Sequence, residues 1–138
     1  MSLSTEEKLA IHELLSRSAH GLDRHDLAML EACYIEESVF SLQITGADPI
    51  PAFEGREAIM GLYRNAMETQ TDVRRHVVSN IYFDSEGEEP VVISNLTLFA
   101  TENGETKLLS AGVYRDVVRN TADGWRLLHR HLDLDSAY

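Results

Sequence analysis

Apolar residues recur along this chain with two different periods, and the change between them divides the sequence. In the first half the spacing is helical: Ile11, Leu14, Leu15, Ser18 and Leu22 fall at i, i+3, i+4, i+7 and i+11, one face of a helix. Ser4 and Glu7 supply a capping box where that helix begins, and Gly21 loosens its last turn. A second helix is expected from Asp26 to about Glu36, with Asp26 as N-cap and Leu27, Leu30 and Tyr34 facing inward. The joint of this hairpin is Asp23-Arg24-His25, where an Asp most simply serves as a turn or capping residue. Val39, Phe40, Leu42 and Ile44 predict a strand over Ser38 to Thr45, then a turn at Gly46-Ala47-Asp48-Pro49 and a short extended piece from Ile50 to Glu54. The third helix opens at Gly55-Arg56-Glu57, with the apolar pairs Ala58/Ile59, Leu62/Tyr63 and Ala66/Met67 four residues apart.

After Thr69-Gln70-Thr71-Asp72 the period becomes two. Strands are predicted over Val73 to Phe83, Pro90 to Thr101, Thr106 to Arg119 and Gly124 to Leu134, separated by short Gly-containing polar turns. Four long strands with short connections predict an antiparallel meander, and helices followed by strands predict an α+β domain. On the first of these strands, alternation assigns His76, Val78, Asn80 and Tyr82 to one face and Arg75, Val77, Ser79, Ile81 and Phe83 to the other. An imidazole, an amide and a phenol among apolar neighbours read either as a core network or as the floor of a ligand cavity.

The 138 residues make a single domain, 1–138, the simplest reading. Roughly 68–70% of the unfolded surface is buried at this size. With 43% hydrophobic and 25% charged residues the composition is that of an ordinary soluble globular domain. A net charge of -11 repels phosphate backbones and anionic lipid, so neither nucleic acid nor membrane is an expected partner. No apolar run approaches a membrane span and no basic segment leads into an apolar one at the N-terminus, which predicts a cytoplasmic protein. The lone Cys33 reads as a small buried apolar group.

Phosphate-binding Gly loops, Gly-x-Ser-x-Gly, His-Glu-x-x-His and Cys-x-x-Cys are missing from the sequence. Of the six histidines, His12, His20 and His25 read as structural or exposed. His129, His131 and Asp133 alternate onto one strand face with Trp125 and Leu127, a pattern open to metal ligation but without a second ligand cluster, and no metal is expected. Gly112, Tyr114, Asp116 and Val118 share a face of the preceding strand, from which Asp116 can pair with Arg130 across the sheet.

Taken in order, the hairpin Asp, Phe53-Glu54-Gly55-Arg56-Glu57-Ala58-Ile59, Arg75-His76-Val77-Val78-Ser79-Asn80, Gly112-Val113-Tyr114-Arg115-Asp116 and Asp123-Gly124-Trp125-Arg126 carry a resemblance. Over nearly the whole chain they resemble the SnoaL-like branch of the nuclear-transport-factor-2-like superfamily. The resemblance implies a cone-shaped barrel: a curved antiparallel sheet wrapped by about three N-terminal helices around an apolar cavity, in a homodimer. It also implies a cofactor-independent lyase, isomerase or cyclase acting on a small apolar ring compound. Asp23 and His76 match the Asp and His that such dehydratases place together as catalytic groups, with Asn80, Tyr82, Leu22, Leu42 and Tyr63 as the implied substrate contacts. Leu22 stands where dehydratases have a Tyr before the hairpin Asp, Leu42 where their strand Tyr falls, and Pro90 to Thr101 lacks their second His. Ser79 to Asp133 also resembles the small subunits of ring-hydroxylating dioxygenases, which implies the alternative of a non-catalytic binding or scaffolding subunit.

Overall fold

A computed structural model describes residues 2–138. Helix α1 spans Thr5–Asp23 and starts at the expected capping box: the Ser4 hydroxyl accepts from the Glu7 N–H at 3.1 Å and the Glu7 carboxylate accepts from the Ser4 N–H at 3.0 Å. Its buried face carries Ile11, Leu14, Leu15 and Ser18 as the spacing predicts. Gly21 is buried as well, because α2 (Leu27–Glu31) crosses there: a Cβ on Gly21 would lie 2.8 Å from Leu30 Cγ. The glycine is required by the close approach of the second helix rather than by a loosened turn.

The second helix is only five residues long, capped by Asp26 Oδ1 on the Met29 N–H at 3.0 Å, and does not reach Glu36. Tyr34 is buried as expected, but it opens strand β1 (Tyr34–Ile44), where it pairs with Leu127. Sheet pairing overrides the helix-compatible residues after Glu31. Strand β2 (Phe53–Glu54) pairs with β1 and leads into α3 (Arg56–Thr69), which buries Ile59, Met60 and Tyr63.

Strands β3 (Val73–Ser85), β4 (Val91–Glu102), β5 (Glu105–Thr121) and β6 (Gly124–Leu134) form the expected antiparallel meander. Asn103 (φ 53°) and Gly104 (φ 76°) close the β4–β5 hairpin in the left-handed conformations that a two-residue turn needs. The six strands are ordered β2-β1-β6-β5-β4-β3 in one curved, unclosed sheet. Because β1 runs parallel to β6, the sheet is mixed rather than wholly antiparallel. The core lies between the inner sheet face and the three helices.

Two irregularities change which side chains face inward. In β3 the register shifts between Ser79 and Tyr82, with Asn80 in the left-handed region at φ 54°. His76 and Val78 point inward before this bulge and Ile81 and Phe83 after it, while Asn80 and Tyr82 are exposed. In β6 Leu128 is the extra residue of a second bulge, since Val117 pairs with His129 and Val118 with Leu127. Trp125 and Leu127 therefore face the core, whereas His129, His131 and Asp133 face away from it. Simple alternation fails at both places because a bulge puts two residues opposite one.

Gly112 on β5 meets β6 so closely that a Cβ there would overlap the Asp133 carbonyl oxygen, which is backbone and cannot rotate away. Gly112→Ala is expected to destabilise the protein by about 1–3 kcal/mol through overpacking. Chemical denaturation of the two proteins checks this; equal midpoints would show that β5 and β6 separate freely.

Candidate active site

The end of α1 and the edge strand β3 meet at one carboxylate. Asp23, the last residue of α1, accepts the His76 backbone N–H at 2.8 Å with the same Oδ1 that lies 2.7 Å from His76 Nδ1. Since β3 is the outer strand of the sheet, its unpaired N–H groups need covering, and Asp23 covers one. Both side chains are nearly enclosed, at 8% exposed for Asp23 and 12% for His76. The carboxylate fixes the imidazole as the Nδ1–H tautomer, which leaves the Nε2 lone pair unused. Among the described residues Nε2 has no hydrogen-bond partner.

His76 lines a cavity of about 150 Å³ enclosed by the inner face of the sheet, α3 and the end of α1. Leu22, Leu42 and Tyr63 line it too, with Phe40, Leu96 and Leu132 completing an apolar wall. Three expected substrate contacts, Leu22, Leu42 and Tyr63, are thus brought together with His76. Asn80 and Tyr82 are not: the β3 bulge turns both outward, and Tyr82 is 55% exposed. A larger depression of about 690 Å³, between α1, α2 and the β5–β6 turn, lies elsewhere and does not include His76.

Several cavity groups were not expected from the sequence: Gln70, Arg74, Tyr114 and Tyr138. Arg74 Nε donates to Asp72 Oδ1 at 2.8 Å, and its guanidinium lies 5.2 Å from the centre of the half-exposed Tyr138 ring. The Tyr63 hydroxyl is 2.7 Å from that of Tyr34, and burial pushes the Tyr34 phenol up to about 12. Behind Tyr114, Arg130 donates to Asp116 from Nε (2.8 Å) and a terminal nitrogen (3.1 Å), and to Ser18 Oγ at 2.8 Å. The Asp116–Arg130 pairing follows the strand register. Its burial among core residues, with Tyr114 against the guanidinium at 3.8 Å, carries no sequence motif. Burial pulls Arg130 toward its neutral form, but the Asp116 carboxylate outweighs it and the guanidinium stays charged.

His131 bridges Ser41 Oγ (2.6 Å, through Nδ1) and Asp133 Oδ1 (2.9 Å, through Nε2) on the outer face. Among the described residues no three His, Cys, Asp or Glu side chains gather to hold a metal ion.

The curved mixed sheet packed by helices around a cavity is a fold shared with a solved NTF2-like protein with a cystatin-like fold from Novosphingobium aromaticivorans, 23% identical, with a TM-score of 0.77 over 94% of this chain and 82% of that one. Residues 4–131 match the model of the SnoaL-like domain, and the chain belongs to that family. A Nostoc punctiforme protein of unknown function with a cystatin-like fold is 24% identical, with a TM-score of 0.80 over 98% of this chain and 96% of that one. A Catenulispora acidiphila protein in complex with S-DNPA is 21% identical, with a TM-score of 0.81 over 95% of each chain. The β subunit of a provisionally assigned aromatic-ring-hydroxylating dioxygenase from Novosphingobium aromaticivorans is 18% identical, with a TM-score of 0.79 over 94% of this chain and 89% of that one. At these identities the likeness is one of fold. None of the curated proteins compared matches the chain.

Proposed function

We propose that this chain is a one-domain, cytoplasmic, cofactor-independent lyase, isomerase or cyclase that moves a proton on a small, largely apolar ring compound. The observation that carries this reading is the Asp23–His76 pair at the wall of an apolar cavity, with Nε2 free of other partners among the described residues. His76 Nε2 takes a proton from the substrate, Asp23 holds the ring in place and balances the imidazolium charge, and the imidazolium, whose proton exchanges with solvent, then protonates a substrate atom. Leu22, Leu42 and Tyr63 shape the pocket around the substrate. That a Catenulispora acidiphila protein of the same fold has been solved in complex with S-DNPA supports the reading of a ligand-binding fold.

A bicyclic ring ketone such as 2-tetralone tests the proton transfer without knowledge of the natural substrate. In D₂O the wild-type protein is expected to accelerate loss of the α-proton signal in the NMR spectrum, and His76→Ala is expected to return the rate to that of buffer. Equal rates for both proteins would remove His76 from the chemistry.

The outer face of β3, β4 and β5 leaves Val77, Phe99, Leu108 and Val113 at least 36% exposed. A patch of this kind favours a partner. The reading assigns it to a second copy of the chain, giving a homodimer whose mass light scattering behind size exclusion measures. The alternative, a non-catalytic scaffolding subunit, draws on the same patch and on the dioxygenase-subunit likeness. Co-purification of a larger metalloenzyme chain, with no exchange activity in the isolated protein, would favour it.

A further inference from the structure

Tyr114 lines the same cavity as His76 and is 3% exposed, yet its hydroxyl has no hydrogen-bond partner among the described residues. A phenol this deeply placed normally finds one. Nor is the oxygen sealed in the core: among the described residues only Ser94 Oγ is both sealed and unpartnered. The Tyr114 hydroxyl therefore opens on the cavity. One face of its ring packs on the Arg130 guanidinium, 3.8 Å from the ring centre and itself bonded to Asp116 and Ser18. Tyr63 differs, since its hydroxyl is engaged with that of Tyr34.

Burial pushes the Tyr114 phenol well above its ordinary range, against the pull of Arg130. The group accordingly keeps its proton at neutral pH and acts as a donor. Along β4, His76 pairs with Leu98 and Tyr114 with Ser94. Those two stations lie four residues apart on β4, so the two side chains enter the cavity from different points of its wall. The Arg130 charge behind the ring is offset by its Asp116 partner, so the phenolic O–H itself is what selects an oxygen at that end.

We propose that Tyr114 donates a hydrogen bond to a ligand oxygen, and that the ligand is therefore a ring compound bearing a carbonyl or hydroxyl besides the atom that His76 addresses. The second half of this statement rests on the acid–base reading of Asp23 and His76; the first half does not.

Naphthalene and 2-naphthol, which differ by one hydroxyl, are the probes, and their affinities for wild type, Tyr114→Phe and His76→Gln are measured by fluorescence titration. The wild type is expected to prefer 2-naphthol. Tyr114→Phe is expected to reduce the preference about fivefold, the scale of one neutral hydrogen bond, with naphthalene affinity unchanged. His76→Gln is expected to keep the preference. A wild type without preference, or a preference kept by Tyr114→Phe and lost in His76→Gln, overturns the assignment. So does failure of Tyr114→Phe to fold, because it would show that the hydroxyl is held by protein. If the preference behaves as expected while 2-tetralone exchange is absent, the acid–base reading falls and Tyr114 stands as a ligand contact.

Discussion

Asp116→Ala is expected to cost about 3–5 kcal/mol of unfolding free energy, the largest stability effect of any single substitution considered for this chain. The carboxylate is fully buried and Arg130 is 2% exposed, so removal of Asp116 leaves a guanidinium in the core with Ser18 as its remaining side-chain hydrogen-bond partner. Coulomb attraction is not what makes the loss large. Two buried charges attract strongly, but taking both out of water offsets most of that gain, and the penalty surfaces only when one partner is deleted. The double variant Asp116→Val with Arg130→Met is accordingly expected to recover most of the loss. Urea denaturation of the wild type, the single variant and the double variant reads both effects. A single variant within about 1 kcal/mol of wild type would mean that water reaches Arg130, a hydrogen bond to bulk solvent being enough to hold it.

Asp23→Asn is expected to lower the 2-tetralone exchange rate by about 10²- to 10⁴-fold, the usual contribution of positioned acid–base catalysis. The substitution keeps size and shape, and the Asn oxygen can still accept the His76 backbone N–H. What it removes is the negative charge beside Nδ1, 2.7 Å away, that fixes the tautomer and balances an imidazolium. Stability is expected to fall by no more than about 1–2 kcal/mol, one charge-assisted hydrogen bond becoming neutral. The exchange rate and the denaturation midpoint therefore separate the two roles. A variant that exchanges at the wild-type rate, or that fails to fold, would make Asp23 a structural cap of the β3 edge.

The order of elements was readable because each has a strong local signal: the Ser4–Glu7 box, the helical stripe of Ile11 to Ser18, and the turns at Asn103-Gly104 and Asp123-Gly124. The joining of Asp23 to His76 was expected through a family resemblance, since no local pattern links residues 53 positions apart. Misreadings arose where a long-range or single-residue event decides the geometry. Tyr34 pairs with Leu127 and so leaves the helix that its neighbours would allow. One left-handed residue, Asn80, reverses the faces of β3 and takes Asn80 and Tyr82 out of the cavity wall. The extra Leu128 does the same for the His129–Asp133 stretch. Asn is one of the few non-glycine residues that readily adopts positive φ, so a bulge at Asn80 is intelligible once seen, yet most Asn residues in strands do not mark one. Tyr114 escaped notice because what distinguishes it is the lack of a hydrogen-bond partner among the described residues, and a sequence does not display that.

The parallel pairing of β1 with β6 also bears on how the chain is made. Ser41 and His131, joined across that pair, are 90 positions apart, so β1 leaves the ribosome long before its neighbour does. Until the last strand arrives, β1 can pair only with the two residues of β2 and keeps its other edge unsatisfied. Late closure of so long a loop makes for slow folding. During synthesis the same open edge is the place where a nascent chain would recruit a chaperone or pair wrongly with another copy. Pairing of β6 with β1 is thus what covers that edge, and it sets Leu132 beside Leu42 in the inner wall of the cavity.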